Sequence, residues 1–460
     1  MALFGTQIVI SMMMACGLQK LSFSFSFARW LLGRKLFAYL PPSVQELQDA
    51  EGIKEDHKKH KKKGPPPDYK ISKNVNIALE NILVTADDLS ALQFYPEYQW
   101  LLDFMAYTTL LYGITEVYLW IRPNLGEINL SVLWCLLVVA FVIRTLSSLS
   151  KIYFRSDETA AERSMCLVCG LAYLLIAMLI LIIDEKWLDF ELRDAYDSFK
   201  VSVTEFSKEI SLETSGPTSE LIFKLSLAAW AGLTGALLVF PGIRFAQMHR
   251  DLLASDVVGP AGKLLVHLNF VFPLVVLMMW VAPVAREYFT TRVFSGMSRP
   301  LFTSDQFEIS RILTIIAACA LRLWLFNKYM QAYLNVAQKK VHSLQKEAGR
   351  IQISEFRKTI SSVFNYACVV ALQYVAPAVL LLFSVLLLKT LGDYSWAGTP
   401  GFSPVLPPQP ALPFSLHRLK EVLTPALFRG VFNFTTWWIS ASIFANSIIG
   451  YAFHSYNEKA

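Results

Sequence analysis

Six ionisable residues fall inside long apolar segments of this sequence, where a charge needs a physical reason to be present. They are Asp103, Glu116, Lys224, His267, Arg311 and Arg322. Ionisable side chains are costly in lipid, so they indicate an ion or proton pathway, a charge sensor, or pairs that join helices. The sequence has no arginine at every third residue and no TVGYG-like filter, which argues against a voltage sensor and a potassium pore. Structural pairing is therefore favoured over conduction.

The spacing of these charges limits how they can pair. Arg311 and Arg322 are eleven residues apart, which is close to three helical turns, so they share one helix face. Asp103 and Glu116 are thirteen residues apart and lie on well-separated faces. A straight helix can hardly offer both carboxylates to one arginine face. We therefore expect Arg322 to pair with Asp103, or Arg311 with Glu116, but not both.

No catalytic constellation accompanies these charges. Cys166 and Cys169 form a C-x-x-C motif at the start of an apolar segment, but no second cysteine pair or nearby histidine completes a metal or redox site. The sequence contains no G-x-S-x-G, H-E-x-x-H or P-loop motif. We therefore predict a protein that is not an enzyme and that binds no metal or cofactor.

The elements that must position these residues are membrane-spanning helices. Of the 460 residues, 54% are hydrophobic and only 17% are charged, whereas a soluble chain carries about 25% charge. About 20 apolar residues cross the hydrocarbon core, and they must be helical because lipid cannot pair with backbone groups. Eight segments satisfy this length: 100–120, 130–149, 165–183, 221–240, 264–281, 309–326, 364–388 and 426–450. The predicted fold class is all-α, a polytopic membrane helix bundle with eight clear transmembrane helices and an N-terminal hydrophobic anchor at 1–18.

The positions of lysine and arginine predict the orientation of the bundle, because these residues concentrate on the cytoplasmic side. They are most frequent in the loops 19–98, 150–164, 241–263 and 328–363. These loops and the tail 453–460 are therefore predicted to be cytoplasmic. Residues 99–452 form the predicted multi-pass bundle. The first segment, 1–18, is interpreted as an uncleaved anchor. It is alternatively too short to span, or cleaved near residues 15–17.

The cytoplasmic segment 19–98 is predicted to be partly disordered and basic. Its sequence HKKHKKK at 57–63 supplies candidate contacts with anionic lipid at Lys58, Lys59, Lys61, Lys62 and Lys63. The alternative is a solvated linker that fixes the topology.

Two further segments have the apolar spacing of amphipathic helices. In 184–220 an acidic stretch carries apolar residues every three or four positions, and it is expected to lie on the outer membrane surface or to cap the bundle. In 328–363 a 4-3 spacing beginning at Met330, Leu334, Ala337 and Val341 predicts a cytoplasmic helical hairpin. This hairpin is expected to bind a partner or anionic lipid, or to pack against its own bundle.

Short motifs along nearly the whole chain resemble those of the transmembrane protein 161 family. They include ARWLL at 28–32, YPEYQW at 95–100, ERSMC at 162–166, FPGIR at 240–244, KEAGR at 346–350, ALQYVAP at 371–377, LFRG at 427–430 and TWW at 436–438. The resemblance implies a multi-pass membrane protein without an agreed biochemical activity. It also implies links to ion-current control, heart rhythm, nervous-system development and resistance to oxidative stress.

Together these observations predict a modulator of ion currents or ion homeostasis that acts through partner channels or other membrane proteins. The alternatives are a channel or transporter in its own right, and a structural membrane protein of an oxidative-stress response. The expected surroundings are the lipid bilayer of the plasma membrane or the endoplasmic reticulum, and no nucleic acid is expected as a partner.

Overall fold

The computed structural model describes residues 6–33, 35–42, 70–71, 79–121, 129–155, 160–183, 186–209, 219–255, 258–293, 300–346, 351–396 and 423–457. Most of these residues are helical. The first eight helices are α1 (Thr6–Ser24), α2 (Phe27–Leu32), α3 (Ala86–Ser90), α4 (Tyr95–Ile121), α5 (Ser131–Arg155), α6 (Ala160–Ile180), α7 (Leu192–Glu209) and α8 (Glu220–Leu237). The others are α9 (Val239–Ala254), α10 (Pro260–Met278), α11 (Arg286–Thr290), α12 (Ser304–Trp324), α13 (Phe326–Leu334), α14 (Val336–Lys346), α15 (Ile353–Asn365), α16 (Ala367–Leu391) and α17 (Pro425–Asn457).

Four short strands form two antiparallel pairs among the described residues. They are β1 (Phe37–Leu40), β2 (Lys70–Ile71), β3 (Glu80–Leu83) and β4 (Ile351–Gln352), with β1 paired to β3 and β2 paired to β4. The prediction of an all-α fold therefore holds for the bundle but misses these small sheets. They lie in or against segment 19–98, whose short apolar runs are too weak to predict strands.

Five helices of the described residues are long and apolar enough to cross a membrane: Ser131–Ile152, Glu220–Leu237, Pro260–Met278, Ser304–Leu344 and Ser354–Leu391. The prediction of eight clear spans is not confirmed. The segments 100–120 and 426–450 form the long helices α4 and α17, but polar residues lower their hydropathy. In α17 Asn433, Thr436 and Ser440 are buried inside the protein. Two apolar helices, Gln7–Gly17 and Ser164–Ile180, are shorter.

Helix α16 occupies the centre of the bundle. It packs against α4, α5, α9, α12 and α17, and almost all of its residues are buried. A helix that is apolar on every side is stable only when other helices or lipid surround it. Because α16 is apolar on every side, its sequence accounts for its position among other helices. Pro377 lies within α16 and does not end the helix, which continues to Leu391.

Small residues allow two pairs of helices to approach closely. Ala228, Gly232 and Ala236 are spaced four residues apart on α8, which contacts α6 there, and a Cβ on Gly232 would lie 3.0 Å from Leu174 Cβ. Helices α9 and α17 approach even more closely at Gly242 and Gly450, where an added Cβ would lie 2.3 Å and 2.7 Å from the nearest atom. Close backbone approach at small residues is a common way to pack helices in membranes.

Within the predicted hairpin at 328–363, the described residues form α13, α14, the short strand β4 and α15, and they pack against the bundle. The spaced residues Met330, Leu334, Ala337 and Val341 are buried. Strand β1 covers part of the hairpin, where the Phe37 backbone N–H donates to Gln331 Oε1 at 2.9 Å. Its apolar face is therefore not free to bind a partner. The basic cluster at 57–63 lies outside the described residues.

The acidic segment on the opposite side forms α7, which packs against α17. Ala195 is fully buried, and a Cβ on Gly430 would lie 2.5 Å from Ala195 Cβ. Of the two expected positions, α7 thus occupies the one that caps the bundle.

Candidate functional site

Five charged side chains, three of them buried, form a cluster at the end of the bundle that the sequence predicts to be outside. Arg311 Nη2 donates to Asp189 Oδ2 at 2.7 Å, and Arg311 Nη1 donates to both carboxylate oxygens of Glu308 at 3.0 Å. Arg286 Nη1 donates to the other oxygen of Asp189 at 2.5 Å. Arg286 also lies 3.7 Å from Glu308 and 3.6 Å from Glu191. This cluster joins the loop before α7 to α11 and α12.

Aromatic side chains and a backbone carbonyl complete the surroundings of Arg311. Its guanidinium carbon lies 4.6 Å from the ring centre of Phe307 and 5.1 Å from that of Trp280. Its Nε donates to the carbonyl oxygen of Met279 at 2.9 Å. The side chain is only 2% exposed. The protein groups described above therefore take the place of water around this cation.

The cluster carries three carboxylates and two arginines, and this excess of negative charge shifts the pKa values of Glu191 and Arg286 at its edge. Burial raises the pKa of Glu191 above its ordinary value, and the nearby carboxylates of Glu308 and Asp189 raise it further. Burial alone would lower the pKa of Arg286, but Asp189, Glu308 and Glu191 outweigh burial and raise it. The cluster thus keeps Arg286 charged.

A second charge pair links α4 to the end of α16. Lys389 Nζ donates to Glu116 Oε2, and Trp396 Nε1 donates to the same oxygen at 2.8 Å. The Tyr112 hydroxyl one turn earlier is hydrogen-bonded to Thr390 Oγ1 at 3.0 Å. A lysine near the end of an apolar helix can extend its ammonium group to the membrane surface. Lys389 is instead buried against Glu116.

Arg322 has no carboxylate within ion-pair distance in the part of the chain that the structure describes. Its Nε donates to the carbonyl oxygen of Tyr374 at 3.0 Å, and its guanidinium carbon lies 4.3 Å from the Phe245 ring centre. The Tyr374 hydroxyl in turn donates to the carbonyl oxygen of Arg322 at 2.8 Å. Arg322 and Asn269 also line a cavity of about 20 Å³, which is enough space for one water molecule.

His267 lies beside the same group of aromatic residues. Its ring centre is 5.6 Å from that of His249, and His249 Nδ1 is 3.2 Å from the Tyr329 hydroxyl. Asn269 Nδ2 donates to this hydroxyl at 3.3 Å, so the hydroxyl hydrogen is available to His249. The result is a chain of neutral hydrogen bonds near Arg322.

Asp103 binds the N-terminal segment and not an arginine. Its two carboxylate oxygens accept from the Ser26 hydroxyl at 2.8 Å and from the Ala28 backbone N–H at 3.0 Å. Because Ser26 is the N-cap of α2, Asp103 fixes the start of this helix to α4. Neither of the two expected pairs, Arg322 with Asp103 and Arg311 with Glu116, is therefore present.

We expect Asp103→Ala to release α2 from the bundle. The substitution leaves the Ala28 N–H and the Ser26 hydroxyl buried without their partner, at a cost of about 1–3 kcal/mol for each buried group. Hydrogen exchange of residues 27–32 should accelerate while exchange of α16 stays slow. Asp88→Ala is the matched control, because Asp88 caps the exposed helix α3 only. Equal exchange of 27–32 in Asp103→Ala and the unsubstituted protein would contradict this anchoring role.

The remaining candidate, Lys224, forms a half-exposed ion pair with Glu220 one turn earlier at 2.8 Å. The structure thus brings none of the six predicted charges together with another of the six. Asp189, Arg286 and Glu308 were not predicted as candidates, because all three lie outside the apolar segments. The spacing of Glu308 and Arg311, three residues apart on one helix, is a signal that could have identified their contact.

A family model described as predicted transmembrane protein 161AB matches residues 2–411 and 408–458. The chain belongs to the transmembrane protein 161AB family. The resemblance drawn from the short motifs is therefore confirmed over the whole chain. The family and the apolar helices together identify a multi-pass membrane protein. No solved structure matches the chain.

Among the described residues, no group of three or more histidine, cysteine, aspartate or glutamate side chains has an arrangement that would bind a metal ion. Cys166 of the C-x-x-C motif is a free thiol, and its Sγ lies 3.5 Å from the carbonyl oxygen of Ala236. Asp189, Glu191, Glu308, Arg286 and Arg311 form one structural cluster, Glu116 and Lys389 form a separate pair, and Arg322 has no carboxylate within ion-pair distance in the described chain.

Proposed function

We propose that this family member is a non-enzymatic membrane helix bundle that modulates ion currents through partner membrane proteins and does not conduct ions itself. One observation carries the proposal. The axis of the bundle, where a pore would lie, is occupied by the apolar helix α16.

The arrangement of the charges supports the same function. Arg311 and Glu116 are engaged by opposite charges at one end of the bundle, and Asp103 is engaged by the N-terminal segment. A conduction path requires sites that an ion can enter and leave, with polar groups available to replace its hydration shell. Side chains already committed to one another are poorly suited to that purpose.

A channel or transporter in its own right is the competing function, and Arg322 is the observation that favours it. By its distance along the helix, Arg322 lies about 16 Å from the level of Arg311, near the middle of a hydrocarbon core about 30 Å thick. A cation at this depth beside a small cavity is a plausible binding group for a permeating anion.

We expect the purified protein in sealed liposomes to give no more ion flux than empty liposomes, whereas removal of the protein from cells changes the native membrane currents. Both measurements use the full-length chain, with surface expression matched in the cell recordings. A flux in liposomes that disappears in Arg322→Ala would contradict the proposal and establish direct conduction. Native currents that are identical with and without the protein would contradict the modulator function itself.

We also propose how many helices cross the membrane and which loops face the cytosol. In addition to the five apolar helices, α4, α6 and α17 complete eight crossings, with the basic loops and the C-terminus in the cytosol. The plasma membrane or the endoplasmic reticulum supplies the bilayer. A channel or another membrane protein is the partner, bound through lipid-facing residues of the outer helices.

A further inference from the structure

A basic pocket lies between helices at the end of the bundle opposite the Arg311 cluster. It has a volume of about 320 Å³ and is lined by residues of α5, α9, α13, α14, α15 and α16. Most of the lining is apolar, and it includes Ile152, Val336, Val363 and Val370. The volume is at the lower end of the range for pockets that bind small molecules. The ligand must therefore combine a small polar group with apolar surface.

The two charged residues in this lining, Arg244 and Lys340, are both cations. Arg244 Nη1 donates to Gln247 Oε1 at 2.8 Å, which orients the guanidinium group at the pocket wall. Lys340 Nζ has neither an ion pair nor a hydrogen bond within the described residues. The nearby carboxylate of Asp251 is occupied by Lys339 at 2.6 Å. The pocket lining thus carries two cations and no carboxylate, which favours an anionic ligand.

The depth of the pocket matches the inner boundary of a membrane. Val370 precedes Lys389 by nineteen residues on α16, which corresponds to about 28 Å along the helix. This is close to the thickness of the hydrocarbon core, about 30 Å. If Lys389 lies near the outer boundary, Arg244 and Lys340 lie at the level of the inner phosphates, beside lipid tails.

We propose that this pocket binds the phosphate of an anionic phospholipid of the cytoplasmic leaflet. Arg244 and Lys340 contact the phosphate, and the apolar lining contacts the start of an acyl chain. Basic pockets between helices on the cytoplasmic side are suited to anionic headgroups, because lipid phosphates already lie at that depth. A soluble phosphate is also an anion, but it has no apolar part to contact the valine side chains. This assignment does not depend on whether the protein modulates or conducts ions.

Titration of the full-length protein in detergent, followed by native mass spectrometry, tests the proposal. The probes are phosphatidylserine, phosphatidylcholine and inorganic phosphate. Phosphatidylserine should bind at least tenfold more tightly than phosphatidylcholine, because the two lipids share the phosphate but the choline cation would lie beside Arg244 and Lys340. Arg244→Gln and Lys340→Gln should each weaken phosphatidylserine binding by about fivefold, and the double substitution by about thirtyfold. Lys358→Gln is the matched control, because Lys358 is exposed on α15 and is absent from the pocket lining.

Two results would overturn the proposal. Equal affinity of the unsubstituted protein for phosphatidylserine and phosphatidylcholine would exclude a headgroup-selective site, and this comparison needs no variant that must fold. Displacement of phosphatidylserine by inorganic phosphate at comparable concentration would assign the pocket to a soluble anion. Circular dichroism of each variant shows whether a lost affinity reflects the pocket or a lost fold.

Discussion

Arg311→Met is expected to destabilise this protein more than any other single charge substitution. Methionine keeps much of the apolar stem of arginine but removes the cation that lies between Asp189 and Glu308. Both carboxylates stay buried, with side chains only 11% and 7% exposed. Breaking a buried ion pair from one side costs about 3–5 kcal/mol, because an uncompensated charge is left behind.

Arg286 lessens this loss but does not remove it. It already contacts Asp189 and lies 3.7 Å from Glu308, yet its own side chain is 28% exposed and it cannot enter the space between Phe307 and Trp280. Arg311→Lys should restore only part of the stability. A lysine has no planar fork with which to bind two carboxylates and the Met279 carbonyl together.

The measurement is the unfolding free energy in mixed micelles under reversible denaturation, with Lys224→Met as the matched control. Lys224 belongs to an exposed pair on one helix, and such a pair contributes about 0.3–0.5 kcal/mol. A destabilisation by Arg311→Met no larger than that of Lys224→Met would show that the cluster is not a structural centre.

These charges illustrate which features the sequence alone can predict. The sequence singled out Glu116 and Arg311, which the structure places in ion pairs, because an ionisable residue in an apolar run is conspicuous. Their partners were not identified, because Asp189 lies in a loop and Lys389 lies at a helix end. Spacing along one helix gives the relative angle of two residues, but it does not show which neighbouring helix faces them.

Packing faces were predicted more successfully than membrane spans. The 4-3 pattern at 330–341 concerns consecutive helical residues, and periodicity within one segment is enough to show which face is buried. Whether a helix such as those at 100–120 and 426–450 crosses a membrane depends on what surrounds it. Polar residues of α17, such as Asn446 and Ser447, are buried inside the protein, and they lower the hydropathy of this helix without showing which of its faces contacts lipid.

Asn446 also marks the position with the second largest expected effect, since it lies against Gly242 where α9 crosses α17. In Gly242→Ala the new Cβ would lie 2.3 Å from Asn446 Cβ and 2.9 Å from the Asn446 carbonyl carbon. Carbon atoms in contact normally lie about 3.5–4.0 Å apart. The two helices must therefore separate by more than 1 Å, and overpacking of a core typically costs about 1–3 kcal/mol.

The separation also strains the hydrogen bonds that tie Asn446 to two other helices. Its Oδ1 accepts from the Tyr173 hydroxyl of α6 at 2.6 Å, and its Nδ2 donates to the Gly235 carbonyl of α8 at 3.5 Å. We therefore expect the loss in Gly242→Ala to reach the upper part of that range, about 3 kcal/mol, although only one methyl group is added. Gly450→Ala provides an independent test of the same crossing, because its Cβ would lie 2.7 Å from the Ile243 Cα.

Gly113→Ala is the control that separates packing from helix propensity. Gly113 also lies within a helix, but no atom lies within 4 Å of a Cβ placed on it. Alanine is favoured over glycine in a helix by up to about 1 kcal/mol, so this substitution should leave stability unchanged or raise it. If Gly242→Ala and Gly113→Ala changed the unfolding free energy equally, α9 and α17 would not cross as closely as they do in the structure. Opposite signs for the two substitutions would show that steric contact at the crossing, and not the preference of glycine for flexible backbone, explains a glycine at position 242.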